Sequence, residues 1–314
     1  MLLCSSLATA QEADELGGSG AELSVIARAE YLSGDDPLGN SSLYTLLEGN
    51  ISDNLSYSVC NHWLSSEPGA LYANTLRSDD VNWLDWAYLT YSFGSVELSL
   101  GKDMLVWGTY EMDEYDFDVH IPMATSIWNA VPVYQWGVRA SWLPLEGLSL
   151  DFRLASSPYS EHPFGEGMLS YGIRARYEKE DAFGGMVSYN ILGMGHGHYR
   201  KVLSAGAQAY VGDARIVADF NNKVGDYDFI MLDGFTTTLI GIVPFAEDKF
   251  ELLAKAGYEQ ISSGNLEDVS GILGLHWRPV EMLRVHVLGG YRWGDIAPGP
   301  VINAGLTCNL SFGL

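Results

Sequence analysis

Residues 201–222 read KVLSAGAQAYVGDARIVADFNN. Leu203, Ala205, Ala207, Ala209 and Val211 share one side of an extended chain, and Ser204 lies on the other. Gly212-Asp213 breaks the run, and Arg215 and Asp219 follow at the same parity as each other. Side chains alternate across a strand, so this stretch predicts two strands and a tight turn, each strand apolar on one face and polar on the other.

Working outward, the same unit recurs. Strands are expected near 132–143 and 148–157, joined at Pro144-Leu145-Glu146-Gly147, and near 82–93 and 95–106, joined at Gly94-Ser95. The first is expected near 21–33 and the last near 300–312. The count is about sixteen, with 228–245 the least regular because both of its faces are apolar. Tight breaks alternate with long ones at 35–41, 67–80 and 107–131. Short turns on one rim and long loops on the other predict an all-β fold, a transmembrane antiparallel up-and-down β-barrel over 21–314. Lipid cannot hydrogen-bond an open strand edge, so the sheet must close. Aromatics gather at strand ends in two sets: Tyr31, Trp63, Trp83, Tyr258 and Trp293, and Phe93, Trp142, Phe183, Phe245, Phe250 and Trp277. Two such sets suit the two membrane interfaces.

Composition narrows the function classes. The 314 residues include 17 Lys+Arg and 40 Asp+Glu, for a formal charge of −23. That balance argues against nucleic acid, whose phosphates need a basic face. Hydrophobic residues make up 47 % of the chain, yet no run reaches the ~18–20 apolar residues of a membrane helix. Residues 1–10, MLLCSSLATA, read as the end of a secretory signal with Ala8-Thr9-Ala10 as its cleavage site, and 11–20 as a flexible periplasmic start. Outer-membrane lipid is then the expected surrounding and the bacterial outer membrane the expected location. Cys60 and Cys308 fall inside strands. They are either two separate small residues or one bridge.

The strand charges collect on the face opposite the apolar one. Arg28, Arg139, Arg153, Arg174, Arg176, Arg215, Arg284 and Arg292 share inward parity, as do Glu30, Glu97, Asp103, Asp151, Asp219, Lys255, Glu251 and Glu259. A charge facing lipid at the midplane costs roughly 2–4 kcal/mol, so this face is the wet one. The arginines read as a basic wall lining the lumen; each taken singly also reads as half of a cross-strand charge pair. The longest loop, 107–131, carries Glu111, Asp113, Glu114, Asp116 and Asp118 and no Lys or Arg. Folded inward, it forms an acidic constriction facing arginines. Left outside, it is a solvated loop whose acids hold divalent cations loosely.

This arrangement resembles the bacterial outer-membrane porins, whose third loop folds into the pore. The run Gly101-Lys102-Asp103-Met104-Leu105-Val106-Trp107-Gly108 is similar to a segment that ends a strand before a long loop in several porin-like families. The closing strand, with Ile302, Ala304, Leu306, Cys308, Leu310 and Phe312 on one face, resembles the signal read by the barrel-assembly machinery, although the chain ends Phe312-Gly313-Leu314 where an aromatic is usual. The resemblance implies passive diffusion of small hydrophilic solutes, with a homotrimer or a monomer as the assembly. A closed or plugged barrel that binds at the surface is the alternative.

Other chemistry finds little support. His196 and His198 lack an identifiable third ligand, so a polar loop is expected there rather than a metal site. There is no G-x-S-x-G, P-loop or dinucleotide fingerprint. Five neighbouring loop acids give no sign of the buried, raised carboxyl that glycosidase chemistry needs. No catalytic residue, metal or cofactor is expected.

Overall fold

The structure, a computed structural model, describes residues 20–33, 41–64, 84–113, 125, 131–180, 182–224, 232–261, 266–295 and 298–314. Sixteen antiparallel strands close into one barrel. They are β1 (Ala21–Leu32), β2 (Ser42–Ser52), β3 (Leu55–Leu64), β4 (Leu84–Phe93), β5 (Val96–Met104), β6 (Tyr134–Leu145), β7 (Leu148–Ser156), β8 (Leu169–Lys179), β9 (Phe183–Gly195), β10 (His198–Val211), β11 (Ala214–Val224), β12 (Leu232–Phe245), β13 (Phe250–Ile261), β14 (Leu266–Val280), β15 (Leu283–Gly294) and β16 (Gly299–Gly313). A single helical turn, α1 (Tyr110–Asp113), lies between β5 and β6. Each strand pairs with its sequence neighbours, and β16 closes on β1 in continuous register from Glu22↔Gly313 to Leu32↔Asn303. No helix among the described residues is long and apolar enough to cross a membrane.

Strands meet at tight turns on one rim. Gly147 (φ 76) and Gly212 (φ 60) take the left-handed backbone those turns require. The expected strand order and face assignment agree with the barrel. On β10, Leu203, Ala205, Ala207, Ala209 and Val211 are exposed while Val202, Ser204 and Gln208 are buried. Tyr31, Trp63 and Trp293 stand out at one rim, and Phe93, Trp142, Phe183, Phe245 and Trp277 at the other. At the second rim Phe245, Phe250 and Trp277 stack at 5.3 and 6.3 Å. Trp83 lies outside the described residues, as do residues 1–19.

Two details differ from the expectation. Tyr134 has outward parity yet is buried, because its ring packs 5.4 Å from Trp86 beside the foot of the long loop. The expected loop around His196 and His198 is a hairpin tip: β9 and β10 run on until only His196 and Gly197 turn. Glycines flank His196, and positive φ at Gly195, His196 and Gly197 makes the tight reversal. Of the two alternatives for the cysteines, separate residues hold: Cys60 is buried on the inward face of β3 while Cys308 lies opposite Ala27 on the outward face of β16, and no disulfide joins them.

Candidate functional site: the inner wall and the long loop

The long loop begins inside the barrel. Leu105 N donates to Val133 O at 2.8 Å, tying its two feet together. Residues 105–113 then follow the inner wall. Asn190 Nδ2 donates to Val106 O at 2.8 Å and Ser188 Oγ to Gly108 O at 2.7 Å, both from β9. Tyr110 OH donates to Glu178 Oε1 of β8 at 2.7 Å, and Glu111 N to Asp219 Oδ2 of β11 at 2.5 Å. Lys255 Nζ of β13 donates to Glu111 Oε1 at 2.7 Å. Thr125 closes the set, giving its N–H to Glu111 Oε1 at 2.9 Å and its hydroxyl to Oε2 at 2.8 Å.

The wall is shaped to receive this segment. Gly172, Gly184 and Gly206 all have inward parity on β8, β9 and β10. A Cβ on Gly184 would lie 2.7 Å from the Tyr110 hydroxyl, and one on Gly206 would lie 2.9 Å from both Thr109 Cβ and Tyr110 Cδ2. A Cβ on Gly172 would collide with Val106. Three bare strand positions therefore form a trough, one use of glycine in a sheet that backbone proximity explains. Apolar side chains seal it: Leu105, Trp107, Tyr110 and Met112 from the loop join Met186, Val202, Val217, Ile240 and Leu253 from the wall in one buried cluster.

Glu111 is 1 % exposed and neutralised by Lys255. Asp113 ends α1, and Glu114, Asp116 and Asp118 lie outside the described residues. Arg139, Arg153, Arg174 and Arg176 stand on the adjacent strands β6 to β8, each beside an acid. Arg139 and Arg153 clamp Asp103 at 3.3 and 3.5 Å, and Arg153 also donates to Gln135 O at 2.7 Å. Arg174 pairs with Asp151 at 3.0 Å and Arg176 with Glu178 at 3.0 Å. Arg215 Nε donates to Gln208 Oε1 at 2.7 Å, and Arg28 donates to Ser42 and Thr307 at 3.2 and 3.3 Å. Arg284 and Arg292 sit on β15. The sequence thus identified the face but not the partners. It missed Glu178, Ser188 and Asn190 as anchors, and the inward glycines on three consecutive strands were the signal that would have located the trough.

Beneath the loop the inward side chains of β9 to β13 are buried, among them Met186, Val202, Val217, Ile240 and Leu253. Partly exposed inward residues include Ile26, Tyr44, Glu48, Tyr88, Glu97 and Arg139 on β1 to β6, and Arg215, Glu251, Arg284 and Arg292 further round the wall. Ser58 Oγ donates to Glu48 Oε1 and accepts from Trp86 Nε1, both at 2.8 Å, and the Arg139 guanidinium lies 5.8 Å from the centre of the Tyr88 ring. Among the described residues no group of three or more His, Cys, Asp or Glu side chains is placed to hold a metal.

No family model matches the chain, and no curated protein matches its sequence. Solved structures match its fold. A loop L8 deletion mutant of OmpT, an outer membrane protein of Vibrio cholerae, superposes with TM-score 0.64 at 13 % identity, covering 93 % of this chain and 99 % of that one. The anion-selective porin from Comamonas acidovorans gives 0.62 at 11 % identity, covering 95 % and 100 %. A mutant of the Rh. blastica porin gives 0.59 at 12 % identity, covering 93 % and 99 %. The chain has the fold of the bacterial outer-membrane porins.

Proposed function

We propose that the chain is an outer-membrane channel for passive diffusion of small hydrophilic solutes. The observation that carries this reading is the docking of residues 105–113 against β8 to β13, which leaves the partly exposed inward residues of β1 to β6 facing them. Solutes pass along that second wall. Glu111 holds the loop rather than charging the passage, because Lys255 neutralises it. Asp113, Glu114, Asp116 and Asp118 follow it in sequence and are the loop acids left to act on solutes, beside Glu48 and Glu97 on the wall. The clamped arginines Arg139, Arg153, Arg174 and Arg176 carry their own counter-charges and orient dipolar solutes more than they attract anions. No chemical step or cofactor enters.

The lipid-facing belt and the two aromatic rims support insertion in a bilayer, and the closing strand is the part offered to the assembly machinery. One of the matching structures is a trimer form of OmpT; a homotrimer is the assembly we propose here.

Single-channel recording of the refolded chain in a planar bilayer under a KCl gradient tests the reading. Discrete conductance with a cation-side reversal potential is expected, and Glu48→Gln with Glu97→Gln should reduce that preference. A second reading, a closed barrel that binds ligands, draws on the buried inward side chains beneath the loop, such as Met186, Val202, Val217, Ile240 and Leu253. A folded barrel that passes no current would favour it.

A further inference from the structure

The outer face of β12 to β15 carries a groove of 610 Å³. Two rows of directly opposed outward residues make it. One row is Gly241, Ala254, Leu273 and Gly289. The next, nearer the long-loop rim, is Leu239, Ala256, Gly271 and Tyr291. All but the two leucines and the tyrosine end at Cα or Cβ, so the floor lies close to the backbone. The leucines stand up from it. Leu273 has Ala254 on one side and Gly289 on the other and is 63 % exposed. Leu239 has Ala218 and Ala256 and is 56 % exposed. Elsewhere large outward side chains cover one another, as Phe250 and Trp277 do in their stack. Here neither leucine has a cross-strand neighbour of its own height, so its flanks lack the dispersion contacts that close packing supplies. Trp293 bounds the groove: a Cβ on Gly271 would lie 3.6 Å from its indole ring, and the Tyr291 and Trp293 rings are 4.9 Å apart. Along β15 the groove extends from Trp293 to Gly289, about 13 Å at the rise of a strand.

We propose that this groove holds one acyl chain of a membrane lipid, with the lipid's headgroup at the level of Trp293. The groove is continuous with the lipid-facing belt, so acyl chains are what its surroundings offer. Aromatic side chains with a polar edge settle at the headgroup level. The groove therefore begins at that level beside Trp293 and runs into the hydrocarbon zone, as a chain does below its headgroup. A second barrel fits less well, because its outer wall is convex too and reaches the floor only with isolated side chains. Hydrophobic transfer does not drive the binding, since a chain that leaves the groove enters equally apolar lipid. Shape drives it. Small residues let the chain approach the backbone, and the chain completes the contacts that Leu239 and Leu273 lack. None of the inward residues takes part, so the site exists whether or not the barrel conducts.

Photolabelling in a bilayer is the experiment. The full chain is refolded in dioleoylphosphatidylcholine vesicles that contain a trace of phosphatidylcholine with a diazirine midway along one acyl chain. After illumination, adducts are mapped by mass spectrometry of peptides. A Cβ on Gly241 or Gly289 meets nothing within 4 Å, so Gly241→Leu with Gly289→Leu fills the groove without strain. Adducts on β12 to β15 should fall about fivefold in that variant, the effect of about ten lost carbon contacts, while those on β6 to β8 stay the same. Ala207→Leu, outward on β10, should change neither. Heat-modifiable gel mobility reports folding, and either single substitution that folds serves as the test. Adducts on β12 to β15 no denser than on β6 to β8 in the parent, or undiminished in the filled variant, overturn the proposal. So does labelling of β12 to β15 only where a vesicle holds a single barrel, which gives the groove to a second copy of the chain.

Discussion

Replacing Lys255 by Met isolates the contact that fixes the long loop. Lys255 and Glu111 are 3 % and 1 % exposed at the side chain and 2.7 Å apart. Removing one member of a buried ion pair costs about 3–5 kcal/mol, because the other charge is left without compensation. Glu111 keeps two hydrogen bonds from Thr125, which places the cost at the lower end, about 3 kcal/mol. The barrel does not unfold on that account; the loss falls on the local equilibrium between docked and released loop. At about 1.4 kcal/mol per tenfold, the released fraction rises by roughly two orders of magnitude. Met112, on the loop itself and 2 % exposed while the loop is docked, reports it. In a Cys60→Ser, Cys308→Ser background, Met112→Cys should react with a charged thiol reagent about a hundredfold faster when Lys255→Met is added. Exchanging both members, Glu111→Met with Lys255→Met, removes the stranded charge and should bring the rate most of the way back. A rate within about twofold of the parent in the single variant would refute the reasoning. So would a double variant as fast as the single one, since the stranded charge would then not be the cause.

Adjacent residues on β1 test the wall. Ala27→Asp faces lipid and should cost roughly 2–4 kcal/mol of membrane folding, whereas Ile26→Asp faces the lumen and should refold as the parent does; equal refolding yields would reverse the assigned faces. Asp103→Asn strips the acid from between Arg139 and Arg153, which should lower the folded barrel's resistance to urea and move the reversal potential toward anions, both read on the same preparation. In lipid vesicles, a membrane-permeant maleimide should label Cys308 and leave Cys60 slow, and non-reducing gels should show no bridge between them.

Strand positions were legible because lipid and water impose a period of two, and one misplaced charge is costly. Residues 201–222 alone contain the pattern, and β10 and β11 reproduce it. The loop was not legible in the same way. Glu111 reads as a pore acid when only its neighbours are counted; its partner Lys255 lies 144 residues further on. Parity showed that Arg139 and Arg153 face the lumen, but register decides that both meet Asp103. Tyr134 obeys the outward parity and is nonetheless covered, because Trp86 reaches it from β4. Local pattern determines which face a residue takes, while partners across the barrel depend on closure.

The trough and its anchors also order the events of assembly. The loop leaves β5 early in the chain, yet its contacts with Asp219 and Lys255 span 108 and 144 residues. Such long closures gain nothing until the intervening strands are paired. The loop therefore settles after β13 joins the wall, and until then the growing sheet carries an undocked acidic segment and a bare glycine groove. Docking is then a record that the sheet reached β13 in register: a slip of one residue would turn Gly172, Gly184 and Gly206 toward lipid and leave the loop no seat. The loop enters the barrel only after its wall has been built correctly.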